Sequence, residues 1–335
     1  MNDMEHQTKM SATEHAALWA QYMDDSLACC VFRYFLNNTN DEDIKKLIQY
    51  SLDLAESHLV QVRIFLKQDN QPIPIGFTDE DVNLNAKSLF TDTFKIYYLH
   101  IMSIHGLTRY AGATSVCMRE DIRQYIIKCT SQTLKLFDNV TSVSLQKGII
   151  SKPPSLNNTQ NIKFINNKTS STGWLSKKRP INAIEISGVY LNIQKTMVKM
   201  VLELGFSQVS QSKEVRDYMR KAKKVCDKHF EVLSSVLRED SLHIPRGFET
   251  EVTDSKTPPF SDKLMLFHIT TLLSAAISYY SDALSMGQRR DLFTSYARMS
   301  LEMALLAEKG LNILIENEWL EQPPIAVDRN DLTKD

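Results

Sequence analysis

The sequence predicts an all-α protein that consists of two consecutive four-helix bundles. Glycine and proline number only ten each in 335 residues, and such scarcity favours long helices over strands and turns. The chain also repeats itself. Pro74–Phe77 (PIGF) returns as Pro245–Phe248 (PRGF) after 171 residues, and the pair Pro153-Pro154 returns as Pro323-Pro324 after 170. A period of this length is too long for a solenoid repeat and predicts a duplicated domain.

The repeat divides the chain into three parts. The first copy covers residues 12–156, and the second copy covers residues 183–327. Residues 157–182 between them are rich in Asn, Ser, Thr and Lys and are predicted to form a polar linker. Each copy is long enough to bury its own core.

Four helices are predicted in the first copy from apolar residues at three-to-four spacing. The first spans roughly Thr13 to Leu36, and the third starts near Leu89. A break near Gly112–Ser115 separates the third from the fourth, which ends near Lys147-Gly148. The second helix carries a single apolar stripe: Ile44, Leu47, Ile48, Ser51, Ala55, His58, Val62, Phe65 and Leu66. The second copy matches element by element.

The lengths of the connections predict how the helices are joined. Short turns link helices one and two, and also three and four, so each pair should form an antiparallel hairpin. The middle connections, residues 71–85 and 242–259, are long for a bundle and carry the Pro-x-Gly-Phe motif. One long crossover between two hairpins is the ferritin-like arrangement, which both copies show independently.

Composition excludes several classes of partner. The net charge is −1, from 39 basic and 40 acidic residues, so nothing overall draws the chain to nucleic acid or an anionic membrane. The basic run Arg216–Lys228 is interrupted by apolar residues and is interpreted as a solvated helix face. The apolar stretch Leu264–Leu284 contains polar residues and predicts a buried helix, with no membrane span. Five cysteines without a CxxC motif, and no signal peptide, predict a cytoplasmic protein.

The ligand pattern of a di-metal bundle is missing. Such a centre needs a Glu-x-x-His on each of two helices, and the sequence contains none. The nearest case, Glu56 with His58, places its side chains about 200° apart on a helix. P-loop, GxGxxG, GxSxG and HExxH motifs are also missing. The sequence therefore predicts no catalytic residues, no cofactor and no metal in the bundle core.

Two equivalent histidines need an explanation, since His58 and His229 both lie on the apolar face of a second helix. One interpretation is a neutral core histidine that is hydrogen-bonded to a neighbouring helix. The other is a small-ligand pocket inside the bundle. The candidate core-polar or ligand-facing residues are His58, His229, His105, Tyr125, Tyr190 and Tyr296.

Taken with the Phe-[Ser/Thr]-Asp start of the third helix (Phe90–Asp92 and Phe260–Asp262), the crossover motif and the closing proline pair resemble the DUF3231 family. These tandem ferritin-like proteins occur in Bacillus-type bacteria and are described as related to spore coat proteins. The resemblance spans almost the whole chain, and its motifs are structural. It implies the fold, a link to sporulation, a spore-associated location and protein partners in the spore.

Three functions follow as hypotheses. The first is a non-enzymatic structural or interaction protein, associated with the spore coat. The second is a module that binds a small ligand in an apolar pocket. The third, which the missing ligand pattern disfavours, is a di-metal oxidase or iron-storage protein. Because spare apolar positions remain on each copy, the two bundles are also expected to pack together as a rigid pseudo-dimer.

Overall fold

The computed structural model describes residues 9–156, 178–327 and 329. Most of the predicted linker therefore lies outside the described residues. The described part contains eight long α-helices and two single-turn 3₁₀-helices, Asp79–Asp81 and Glu249–Glu251. The long helices are α1 Ala12–Asn37, α2 Glu42–Gln68, α3 Asp92–Val116, α4 Glu120–Gln146, α5 Ala183–Val209, α6 Lys213–Glu239, α7 Asp262–Met286 and α8 Arg290–Glu316.

The helices form two four-helix units, α1–α4 and α5–α8, and the predicted fold class is confirmed. In each unit the first two helices pack closely as one hairpin and the last two as another. The long crossover joins the two hairpins and contains the 3₁₀ turn. Side-chain caps begin most helices. Ser11 and Asn182, for instance, each form a capping box at the first helix of a unit.

The predicted break at Gly112–Ser115 is wrong, because α3 continues to Val116. Glycine lowers helix stability by only about 1 kcal/mol. The turn lies at residues 117–119. There the Glu14 carboxylate accepts hydrogen bonds from the backbone N–H groups of Met118 and Arg119, at 2.9 and 2.7 Å. Glu185 does the same for Gln288 and Arg289, at 3.0 Å each. The recurrence of this acid in both copies therefore reflects a structural cap.

The two units pack against each other around a pseudo-two-fold axis. Tyr98 and His268 occupy equivalent positions in α3 and α7, and they hydrogen-bond to each other at 3.1 Å. The two crossovers pair through the bridges Val82–Phe260 and Phe90–Val252. The larger of two clusters of buried apolar side chains extends through both units, and the smaller one lies within the first unit. This packing confirms the expected contact between the two bundles.

Helix α7 is the most apolar helix of the described part. Its mean hydropathy over the most apolar window is 1.3, so by length and composition alone it could cross a membrane. However, 61% of that window is buried inside the protein. The prediction of a buried core helix is therefore confirmed.

Candidate functional site

A deep cleft enters the first unit between α1 and α3. Its volume is about 650 Å³, within the roughly 300–1,000 Å³ of small-molecule sites. Helices α2 and α4 form its floor with Ala55, His58 and Thr133. Helix α7 of the second unit closes one side with Phe267 and Leu272. The cleft therefore belongs to the first unit but is completed by the second.

Small side chains keep the two walls apart. Ala16, Ala20 and Ala28 lie along one side of α1 at multiples of four residues, so they face the cleft together. Gly106 and Gly112 line the opposite wall on α3. Side chains that end at Cβ, or lack it, cannot span the gap between two helices. The sequence of α1 and α3 therefore leaves space where a bundle normally has packed side chains.

A polar group lies at the floor of the cleft. The His58 Nδ1 atom is 3.4 Å from Asp25 Oδ2 and 3.3 Å from the hydroxyl of Tyr110. Burial lowers the pKa of His58, but the neighbouring Asp25 and Cys129 side chains outweigh it and raise that pKa to about 10. His58 is therefore protonated at neutral pH and is paired with Asp25, whose own pKa is raised by burial while the contact with His58 opposes that shift.

A second ion pair joins the two walls. Arg109 Nε on α3 lies 3.2 Å from Asp24 Oδ2 on α1. Their side chains are 47% and 35% exposed because both face the cleft. The Asp24 side chain reaches the cleft, but the surrounding helices remove enough water from it to raise its pKa to about 6, with the charge of Asp25 adding to the shift and Arg109 opposing it. The cleft thus contains two acid–base pairs of opposite charge. His105 and His268 also line it, and both are neutral because burial lowers their pKa.

The second unit fills the equivalent space. Ser103 and Thr133 of the cleft correspond, after 170 residues, to Leu273 and Met303, which are fully buried. Position 24 of the first unit corresponds to Lys195, which is also buried. The space beside Lys195 measures about 10 Å³. Larger side chains in the second unit therefore fill the space that forms the cleft in the first unit.

The second histidine has different chemistry from the first. His229 hydrogen-bonds to the Tyr280 hydroxyl at 3.2 Å and to Glu302 Oε2 at 2.9 Å. Burial lowers its pKa to about 4, even though Glu302 opposes the shift. His229 is therefore neutral where His58 is charged. Tyr280 is the equivalent of Tyr110, so one Tyr–His contact recurs in both units.

The structure brings together some of the predicted site residues. Tyr125 packs at 6.2 Å from the His58 ring, and its hydroxyl accepts from Gln21 Nε2 at 2.8 Å. His105 lines the same cleft and hydrogen-bonds to Tyr279 at 3.1 Å. Tyr190 and Tyr296 lie elsewhere: Tyr190 bonds Ser151 at 2.9 Å, and Tyr296 packs against Tyr280 in the second unit. Their roles as site residues stay predictions.

Sequence reasoning missed four polar residues of the cleft, which are Asp24, Asp25, Arg109 and Tyr110. Tyr110 had a signal, since it recurs as Tyr280 after 170 residues, the same offset as the proline pair. Asp24 and Asp25 have no acidic counterpart in the second copy, where Lys195 and Thr196 stand. A search for recurring residues therefore could not find them. Within the described ranges, no group of three or more His, Cys, Asp or Glu side chains is placed to hold a metal ion.

Comparisons with known proteins place the sequence in context. Residues 1–162 and 169–332 match the model of DUF3231, a family described as a protein of unknown function. No curated protein matches the sequence. A crystal structure of a "putative spore coat protein" from Bacillus halodurans matches with 18% identity and a TM-score of 0.41, over 46% of this chain and 99% of that one.

Proposed function

The chain belongs to the DUF3231 family, and within that family we propose that it acts as a binding protein for a small, largely apolar molecule. The ligand occupies the cleft between α1 and α3 of the first unit. This is the second of the functions suggested by the sequence. The proposal involves no chemical step on the ligand.

The observation that carries the proposal is the contrast between the two units. A cleft of about 650 Å³ gives up the contacts that packed side chains would make across it. The second unit shows that the same helix arrangement can be packed when Leu273 and Met303 replace Ser103 and Thr133. The first unit retains the cleft despite this cost, together with the paired polar groups that typically orient a ligand.

Filling the cleft with the residues of the second unit tests the proposal. The double variant Ser103→Leu/Thr133→Met adds buried side-chain volume at two positions that line the cleft. Nile red, an uncharged apolar dye, serves as the probe, and its fluorescence rises when it leaves water. We expect the wild-type protein to bind the dye and the double variant to bind it at least tenfold more weakly. We also expect thermal stability to be equal or higher in the double variant, because the cavity is filled.

Leu134→Met is the matched control, since Leu134 is 52% exposed on the outer side of α4. This variant should bind the dye as the wild-type protein does. Equal dye binding by the cavity-filling variant and the wild-type protein, with both folded, would show that the cleft is not the binding site.

Exposed apolar side chains on α8 favour the first hypothesis from the sequence, a structural or interaction protein. Helix α8 exposes Phe293, Leu301 and Leu305 at 54%, 60% and 58%, and exposed apolar side chains in a row are typical of protein contacts. We propose this face of α8 as the contact with a protein partner in the spore. Localisation of the tagged protein during sporulation is the measurement that tests a spore-associated role.

A further inference from the structure

The charges in the cleft restrict the chemistry of its ligand, and this inference rests on the proposed function. Asp24 is paired with Arg109 at 3.2 Å, and Asp25 with His58 at 3.4 Å. The four groups come from three helices, α1, α2 and α3, and their formal charges cancel. The cleft therefore has no surplus charge to offer to an ion.

An ionic ligand would find no free partner there. Moving a carboxylate or an ammonium group from water into a protein interior costs several kcal/mol unless an opposite charge receives it. To receive one, the cleft would have to break one of its own pairs and leave a charge uncompensated. An uncharged ligand avoids this cost.

The polar atoms at the floor of the cleft also indicate which hydrogen-bonding group fits. Among the described residues, the buried atoms Gln21 Oε1 and His58 Nε2 have no hydrogen-bond partner, and Asp25 Oδ2 has only the 3.4 Å contact with His58. Gln21 Oε1 is an acceptor, whereas Nε2 of the protonated His58 is a donor. A hydroxyl group can donate to the first and accept from the second, whereas an ether or a ketone can only accept and would leave Gln21 Oε1 unsatisfied.

The remaining walls are largely apolar, with the rings of Phe32, Tyr98 and Phe267 besides aliphatic side chains. Leu27 and Ala28 of α1 face Leu54 and Ala55 of α2, with Leu136 of α4 beside them. We infer that the ligand is an uncharged alcohol with a large apolar body, which lies along these side chains while its hydroxyl donates to Gln21 Oε1 and can accept from His58 Nε2. The two ion pairs act as a filter against fatty acids and alkylamines of the same shape.

Three probes with one chain length and different head groups test this inference on the full chain. 1-Decanol, decylamine and decanoate compete with Nile red at pH 7, all below their micelle concentrations. We expect decanol to displace the dye at a concentration at least tenfold lower than the two ions. If decylamine or decanoate displaces it equally well or better, the ligand class is overturned while the proposed function stands. If the dye itself does not bind, the proposed function fails.

Variants of the wall pair sharpen the test. Arg109→Gln removes the charge that holds the pKa of Asp24 down, so in this variant Asp24 is ionised and unpaired only above neutral pH. When the competition is repeated at pH 9, the affinity for decylamine should therefore rise relative to decanol by about tenfold. Asp24→Asn leaves the guanidinium of Arg109 unpaired, so the relative affinity for decanoate should rise instead. Both side chains are partly exposed, and neither change is expected to prevent folding. Identical head-group preferences in wild type and both variants would contradict the role given to the ion pairs.

Discussion

Lys195 is a buried basic side chain in the second unit. It is 4% exposed, and its Nζ has no hydrogen-bond partner among the described residues. Its Nζ lies against the face of the Tyr279 ring, 2.7 Å from the ring centre. Burial lowers its pKa to about 6, and the positive charge of Lys199 adds to the shift. The amine of Lys195 is therefore neutral at pH 7, whereas a lysine exposed to solvent is charged.

We expect Lys195→Met to stabilise the protein at pH 7 by about 1–4 kcal/mol, because a buried ionisable group is replaced by an apolar side chain of similar length. The folded-state pKa lies below the unfolded value of 10.5, so unfolding takes up a proton between pH 6 and 10.5. The wild-type protein should therefore gain stability as pH rises through this window, and the advantage of the variant should shrink. Urea denaturation at pH 7 and pH 9.5 measures both effects.

Lys221→Met, on the exposed side of α6, provides the control. It should change the free energy of unfolding by less than about 0.5 kcal/mol at either pH. An advantage of Lys195→Met that is constant between pH 7 and 9.5 would show that the lysine is charged in the folded protein.

At the scale of single elements, the two crossovers use one motif in different ways. Gly76 has a φ of +67°, and its N–H donates to the Glu321 carboxylate at 2.6 Å. A Cβ at this position would lie 2.5 Å from the hydroxyl of Ser26. Gly247 does not have a positive φ, and its Cβ would meet the end of the flexible Glu249 side chain. Only the first glycine is required by its backbone conformation.

Gly76→Ala should therefore destabilise the protein by about 1–3 kcal/mol, whereas Gly247→Ala should change the free energy of unfolding by less than about 0.5 kcal/mol. Chemical denaturation of the two variants beside the wild-type protein measures the difference. Equal losses would indicate that the motif has the same backbone role in both copies.

The helices could be predicted from the sequence, whereas the cleft could not. Apolar stripes and connection lengths are local patterns in the sequence. They were sufficient to predict the eight helices and both crossovers. The end of α3 was misplaced because its position depends on Glu14, which is more than 100 residues away in the sequence. The cleft depends on which side chains of α1 and α3 face each other. The alanines of α1 and the glycines of α3 do not reveal this pairing in the sequence. Arg109 and Asp24 meet only in the folded chain.

At the scale of the whole molecule, the shared core implies that the two units unfold together. Tyr34 of the first unit packs on Phe260 of the second at 5.1 Å, and Phe90 packs on Phe206 at 6.2 Å. Separating the units would expose these rings and the paired crossovers to water. Neither unit keeps a complete apolar core without the other. The rigidity of this pseudo-dimer stays a prediction.

Single-tryptophan variants can follow each unit during unfolding. Trp174→Phe/Trp319→Phe retains Trp19 in α1, and Trp19→Phe/Trp174→Phe retains Trp319 beside the end of α8. We expect the two fluorescence transitions in urea to have the same midpoint, because coincident transitions are the sign of a two-state process. Midpoints that differ, in variants of equal overall stability by circular dichroism, would show that the units unfold independently.

The contact between Tyr98 and His268 has a consequence for stoichiometry. These equivalent residues meet on the axis, as two copies of one residue meet in a symmetric homodimer. In a true homodimer, every substitution would alter both halves at once, and the complex would take up two ligands or none. Joining the halves in one chain removes this constraint, so that one half can specialise in rigidity while the other retains an opening. At saturating ligand concentration, this protein should therefore bind one ligand molecule per chain.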